Sequence, residues 1–173
     1  WQAGDSLVMQ LCLAGVAACM GFMLFNFPAG RIFLGDGGAY LGGFWLAECA
    51  VLLLVRNPSA SGWAALLACF YPVWETVFSM YRRRVMRGTA VGRPDRVHLH
   101  QLVFRRLICI RVGSSRGAAI KHALAVPVMW LLVLFCQLFA QLGEVHAGWV
   151  AIGIPLFLIG YHSLYNALVI RAM

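Results

Sequence analysis

Five stretches of this sequence are apolar over a length that few folds can accommodate: residues 7–27, 39–55, 63–81, 122–142 and 149–170. A helix rises 1.5 Å per residue, so about 20 such residues cross the hydrocarbon core of a bilayer. Strands are excluded, because open sheet edges leave backbone groups without partners in lipid. The composition agrees: 62% of residues are hydrophobic and 12% charged, with a mean hydropathy of +0.80. The expected fold class is all-α, a polytopic integral membrane protein with about five transmembrane helices. Pro28 and Gly30 end the first run, Asn57 and Pro58 follow the second, Arg82 stops the third, and Pro127 is expected to kink the fourth. Gly38 and Gly42 give the second run a small-residue spacing that permits close helix contact. Residues 1–173 are read as a single membrane domain, with 82–121 a basic loop carrying a short amphipathic helix.

The charge is confined. Eleven of the 14 Lys and Arg fall between Arg82 and Lys121, beside one acid, Asp95. That loop carries +10 and the remainder −2, against a net +8. The basic pI therefore reports one loop on a membrane protein and does not argue for nucleic acid. Short Lys/Arg-rich loops stay cytoplasmic. Residues 82–121 and 28–38 are then expected on the same, cytoplasmic side. Six cysteines without a CxxC or a paired framework read as buried small hydrophobes. No Lys or Arg precedes the first run, so no signal peptide is expected.

Two polar constellations share that side. The first is NFPAGRIFLGDGGAYLGG, residues 26–43, with Asp36 set among Gly35, Gly37 and Gly38. Glycines let a backbone approach a ligand closely, and a carboxylate there suits a hard cation that in turn holds phosphate. The plainer alternative is a loop whose Asp caps a helix. The second is RPDRVHLHQLVFRR, residues 93–106. Pro94-Asp95 reads as a helix start with Asp95 as its cap, placing His98, Gln101 and Arg105 on one face. His98 and His100 converge on one ligand only if the stretch departs from regular helix, since they lie about 200° apart on one. Arg and His donors suit phosphate oxygens. A headgroup-binding loop, a zinc site and plain interfacial histidines are the alternatives. Two acids sit inside apolar runs. Glu75 can join Asp36, and Glu48, roughly 18 Å deeper, reads as a buried helix-pairing group. Neither is taken as catalytic.

Together the two stretches resemble the signature blocks of the polyprenyl-phosphate N-acetylhexosamine-1-phosphate transferases (glycosyltransferase family 4), a family of membrane enzymes. The first resembles its (N)xP-x-x-I-F-x-G-D-x-G block. YPVWETVFSMYRRR and RPDRVHLHQL look like the next two, the last being a P-D-x-x-H-x-H-x-L histidine motif. The resemblance implies transfer of a sugar 1-phosphate from a UDP-sugar to a polyprenyl (undecaprenyl) phosphate with release of UMP, in bacterial cell-wall or lipopolysaccharide assembly. It implies Mg²⁺, with Mn²⁺ as the substitute, and an active face on the cytoplasmic side of the inner membrane.

Asp36 matches the metal-holding acid and, with His98 and His100, the catalytic set. Asn26, Gly35, Gly37, Gly38, Asp95, Arg96 and Gln101 would bind substrate, Arg96 through the pyrophosphate. Gln101 stands where several members have His. The family's upstream Asp-Asp pair has no counterpart, since only Asp5 precedes Asp36. A missing N-terminal half or a partner chain is therefore expected to supply it, and a homodimer is a further arrangement to consider. The alternative is a half-chain that binds anionic lipid or nucleotide sugar without catalysis.

Overall fold

The computed structural model describes residues 4–28, 30–88, 90, 97–112 and 117–170. The expected all-α class holds: among them there are helices and no strands. The described residues fall into two compact units, divided between Gly62 and Trp63.

The first unit is a helical hairpin of α1 (Ser6–Asn26) and α2 (Gly35–Arg56). Its open end is clasped. Asp5 caps α1 by accepting from the Leu7 and Val8 N–H groups. Its other oxygen accepts from Arg56 Nε at 2.6 Å and Asn57 Nδ2 at 3.3 Å, where α2 ends. Midway, Trp45 Nε1 donates to the Leu11 carbonyl at 3.1 Å. A Cβ on Gly15 would lie 2.8 Å from that indole nitrogen, so the approach requires glycine. The close contact thus falls at Gly15 and not at the Gly38/Gly42 spacing. Gly42 faces open space, and Gly38 meets only Leu34 of its own helix turn. Glu48, read as buried, is exposed: α1 covers the face of α2 that carries Cys49 instead.

The second unit begins with the largest departure from expectation. The sequence reads residues 63–81 as one span. They form α3 (Gly62–Ala68) and α4 (Phe70–Tyr81), bent by 74°. A break frees backbone carbonyls, which lipid cannot satisfy. Gln137 of α7 (Ala118–Val145) meets this need, donating to the Ala68 carbonyl at 3.1 Å. A π-helical turn, Arg82–Met86, extends α4. The short α5 (Leu99–Leu102) runs through a second π turn, Val103–Ile108, into α6 (Cys109–Val112). The last helix is α8 (Gly148–Ile170).

Helices α4 and α8 pack through matched i, i+4, i+8 rows, which share one helix face. Phe70, Trp74 and Phe78 meet Phe157, Tyr161, His162 and Tyr165. Phe70 lies edge-on to Phe157 at 5.3 Å, and Phe78 edge-on to Tyr165 at 5.1 Å. Arg82 is the next member of the α4 row. Its buried guanidinium sits over Phe78 and Tyr165 and donates to Tyr165 Oη at 2.8 Å. Leu99, Leu102 and Val103 are buried in the core of this unit, so α5 binds the bundle by its apolar face. Helices α1, α2, α7 and α8 are long and apolar enough to cross a membrane. The bent α3–α4 pair brings the number to five if it counts as one span.

Candidate functional site

The histidine motif departs from a regular helix at the position convergence requires. The helix starts after His98 and not at the expected Asp95 cap. His98 itself is extended (φ −66°, ψ 149°) and occupies the cap position of α5. Asp95 and Arg96 lie outside the described residues. The extended residue cancels the helical rotation, and the His98 and His100 rings stack, 5.8 Å apart with planes 13° from parallel.

Glu75 holds this geometry. From the middle of α4, its Oε1 lies within hydrogen-bond distance of His98 Nδ1 and accepts from the Leu99 N–H, both at 3.0 Å. Its Oε2 accepts from Tyr161 Oη at 2.6 Å. The Leu99 bond satisfies a donor at the start of α5 that no side-chain cap of its own serves. One carboxylate therefore joins α4, α5 and α8. Sequence reasoning offered Glu75 only as a companion to Asp36 and did not take it as catalytic. Its signal was an acid inside an apolar run, a costly placement that calls for partners.

Beside the histidines lies an open hollow of about 930 Å³. His100, Gln101, Arg105 and His122 line its polar part; Phe104, Met129 and Trp130 are among its apolar walls. The His122 ring lies flat on Phe104 at 3.9 Å. Gln101 Oε1 is buried and has no hydrogen-bond partner among the described residues. Desolvation pushes the His100 pKa below its usual range, although the residue keeps an exposed surface. Neighbouring His98 adds to the shift, and Glu75 opposes it. The hollow thus offers hydrogen-bonding groups for an anion on one side and a surface for hydrocarbon on the other.

In the first unit, Asp36 lies in the first turn of α2, which begins at Gly35, four residues earlier than expected. It is not the cap: Leu34 holds that position without a side-chain bond. Asp36 is exposed at a helix N-terminus, where the macrodipole favours an anion. Gly35 has φ +67°, a conformation that only glycine adopts freely, and a Cβ on Gly37 would meet nothing. Asn26 shapes the approach to this turn, its Oδ1 accepting from the Ile32 N–H at 3.1 Å. Asp36 is therefore a carboxylate open to a cation. Among the described residues, no group of three His, Cys, Asp or Glu side chains is placed to hold a metal ion.

Comparison with known proteins bears out the resemblance read from the sequence. Residues 1–54 match the family described as Glycosyl transferase family 4. A Bacillus subtilis (strain 168) protein named a probable undecaprenyl-phosphate N-acetylglucosaminyl 1-phosphate transferase is 24% identical over 153 residues, covering 80% of this chain and 42% of that protein. The Salmonella typhi undecaprenyl-phosphate alpha-N-acetylglucosaminyl 1-phosphate transferase is 29% identical over 163 residues, covering 83% and 43%. The Thermotoga maritima protein of that name is 33% identical over 88 residues, covering 51% and 28%. The chain spans less than half the length of these relatives. No solved structure matches it. The apolar helices and these relatives mark it as a multi-pass membrane protein.

Proposed function

We propose that this chain carries part of the active site of an enzyme that transfers an N-acetylhexosamine 1-phosphate from a UDP-sugar to undecaprenyl phosphate. An oxygen of the lipid phosphate bonds to the phosphorus next to the sugar. The bond from that phosphorus to UMP breaks, and UMP leaves with the electron pair. Such transfers depend on positioning and charge neutralisation more than on covalent chemistry from the protein. The observation that carries this reading is the stacked His98–His100 pair beside a hollow lined by Gln101 and Arg105. The relatives' names support the sugar 1-phosphate group and the undecaprenyl-phosphate acceptor; the UDP-sugar donor and UMP product are part of the proposal.

The residues take separate parts. His98 and His100 contact phosphate oxygens and hold or pass a proton. Arg105 offers a guanidinium to the anionic groups, and the apolar wall of the hollow takes the first prenyl units. Asp36 fits the one carboxylate that a protein commonly gives Mg²⁺, with substrate phosphates and water supplying the remaining ligands. When bound, Mg²⁺ or Mn²⁺ neutralises charge on the phosphates. Gly35 and Gly37 leave room for the nucleotide sugar at that turn, and Asn26 sets its shape. Arg96 is assigned to the pyrophosphate, and Asp95 to the substrate-binding set beside it. The active face is cytoplasmic, on the bacterial inner membrane, and acids from elsewhere in the protein or a partner chain complete the site.

The test is UMP release from UDP-N-acetylglucosamine by the full-length protein in membranes supplied with undecaprenyl phosphate. Release that needs a divalent cation, and falls about 100-fold or more in Asp36→Asn, is expected. A wild-type protein that binds both substrates and releases no UMP would instead establish the binding-only alternative.

A further inference from the structure

We infer that Glu75 is the positioning residue of this site: its carboxylate selects the tautomer of His98 and aims the imidazole. The inference rests on the transfer reaction proposed above for its consequence, and on geometry for its substance. Oε1 accepts from the Leu99 N–H, which can only donate, so this oxygen acts as an acceptor. His98 Nδ1, 3.0 Å from the same oxygen, therefore carries its hydrogen. That commits Nδ1 and leaves Nε2 to face a ligand, where it can accept a proton or, once protonated, donate to a phosphate oxygen. The two bonds reach consecutive residues, so the carboxylate fixes the ring and the backbone that carries it together. Tyr161 Oη holds the other oxygen at 2.6 Å and prevents the carboxylate from rotating away. Tyr161 is fully buried, and Glu75 reaches the histidine pair through His98 Nδ1. A carboxylate that orients a working histidine from behind recurs in metal and hydrolase sites, where its loss costs about 10–100-fold in activity or more.

The decisive measurement is the imidazole ¹⁵N–¹H spectrum of full-length protein labelled at histidine, in lipid nanodiscs, above the pH at which histidines titrate. The His98 signal is assigned by its loss in His98→Gln. Wild-type His98 is expected as the Nδ1–H tautomer. In Glu75→Ala it moves to Nε2–H, while the His122 and His162 signals stay in place. A wild-type Nε2–H tautomer, or an Nδ1–H tautomer that survives Glu75→Ala, overturns the inference. Should Glu75→Ala fail to fold, Glu75→Gln keeps the volume and an acceptor. Its kcat for UMP release is expected to fall about 10–100-fold with KM for the nucleotide sugar nearly unchanged, and to cause no further fall in a His98→Ala background. Additive losses in that background would mean that Glu75 acts independently of His98. If the wild-type protein releases no UMP, the transfer reading fails, and the tautomer still decides the role of Glu75.

Discussion

Tyr161 Oη donates to Glu75 Oε2 at 2.6 Å, linking the last helix of the chain to the acid that holds the histidine motif. Tyr161 is fully buried, so the bond has no water to replace it. Tyr161→Phe removes the donor and keeps the ring packing against Phe78 and Phe157. Loss of one buried hydrogen bond costs about 1 kcal/mol in a membrane bundle. The variant is expected to unfold correspondingly earlier in detergent, measured by thermal denaturation beside the wild type.

The clasp between Asp5 and Arg56 gives the first unit an acid-sensitive end. The Arg56 hydrogen bond, with help from the Val8 N–H and Asn57, holds the Asp5 carboxyl below its usual range; partial desolvation opposes this. A depressed carboxylate pKa contributes stability above the unfolded value, near 3.9. That stability fades as pH falls through the lower folded value. Amide protection at Leu7 and Val8, corrected for intrinsic exchange, is expected to hold at neutral pH and drop in that acidic window. Asp5→Asn should be weak at every pH. Because Arg56 is half exposed, added salt should weaken the clasp too.

His100 also makes the fold acid-sensitive, in a window nearer neutral pH. Desolvation and the neighbouring His98 lower its pKa, so the folded protein keeps this ring neutral where an unfolded chain would protonate it. The unfolded state then binds more protons between the lowered value and about 6.5, and stability rises with pH across that window. Acidification from neutral pH is expected to destabilise the second unit, and His100→Gln to flatten the dependence. Denaturant midpoints between pH 5 and 8 check both.

Helices α7 and α8 meet at Gly153. A Cβ there would stand 2.8 Å from Phe139 Cβ and 2.9 Å from its ring, and a Cβ atom has no flexible end to swing aside. Gly153→Ala is expected to destabilise the pair by about 1–3 kcal/mol. Gly160→Ala on the same helix has open space and is the matched control. Thermal denaturation of the two variants in one detergent gives the comparison.

Much of the architecture was legible because the bilayer dictates it. The spans at α1, α2, α7 and α8 follow from length and hydropathy, with ends displaced by a few residues. The bend between α3 and α4 has a local source in Pro72, which lacks the N–H that would bond the Ala68 carbonyl four residues back. The break is met by Gln137, almost 70 residues away, and hydropathy averaging cannot register one distant amide. At the site, the HLH spacing announced that His98 and His100 needed an irregular backbone to meet, and the extended His98 supplies it. The start of that helix was misplaced because Pro94-Asp95 is a strong local signal, whereas the actual donor at Leu99 is served by Glu75 from another helix. Glu75 stayed hidden for the same reason: its three partners lie 23, 24 and 86 residues away.

The row of aromatic contacts between α4 and α8 also has a consequence in time. A ribosome releases Glu75 and His98 well before Tyr161 and Tyr165, which hold Glu75 and Arg82 in place. Chains fold from their N-terminal parts as they are made. The histidine motif must therefore wait, already synthesised, for the final helix to enter the membrane. Only then does the carboxylate that aims His98 gain its third contact. The histidine arrangement is finished by a segment that carries none of its signature residues, so a chain interrupted before α8 would contain the histidine motif and still lack the arrangement.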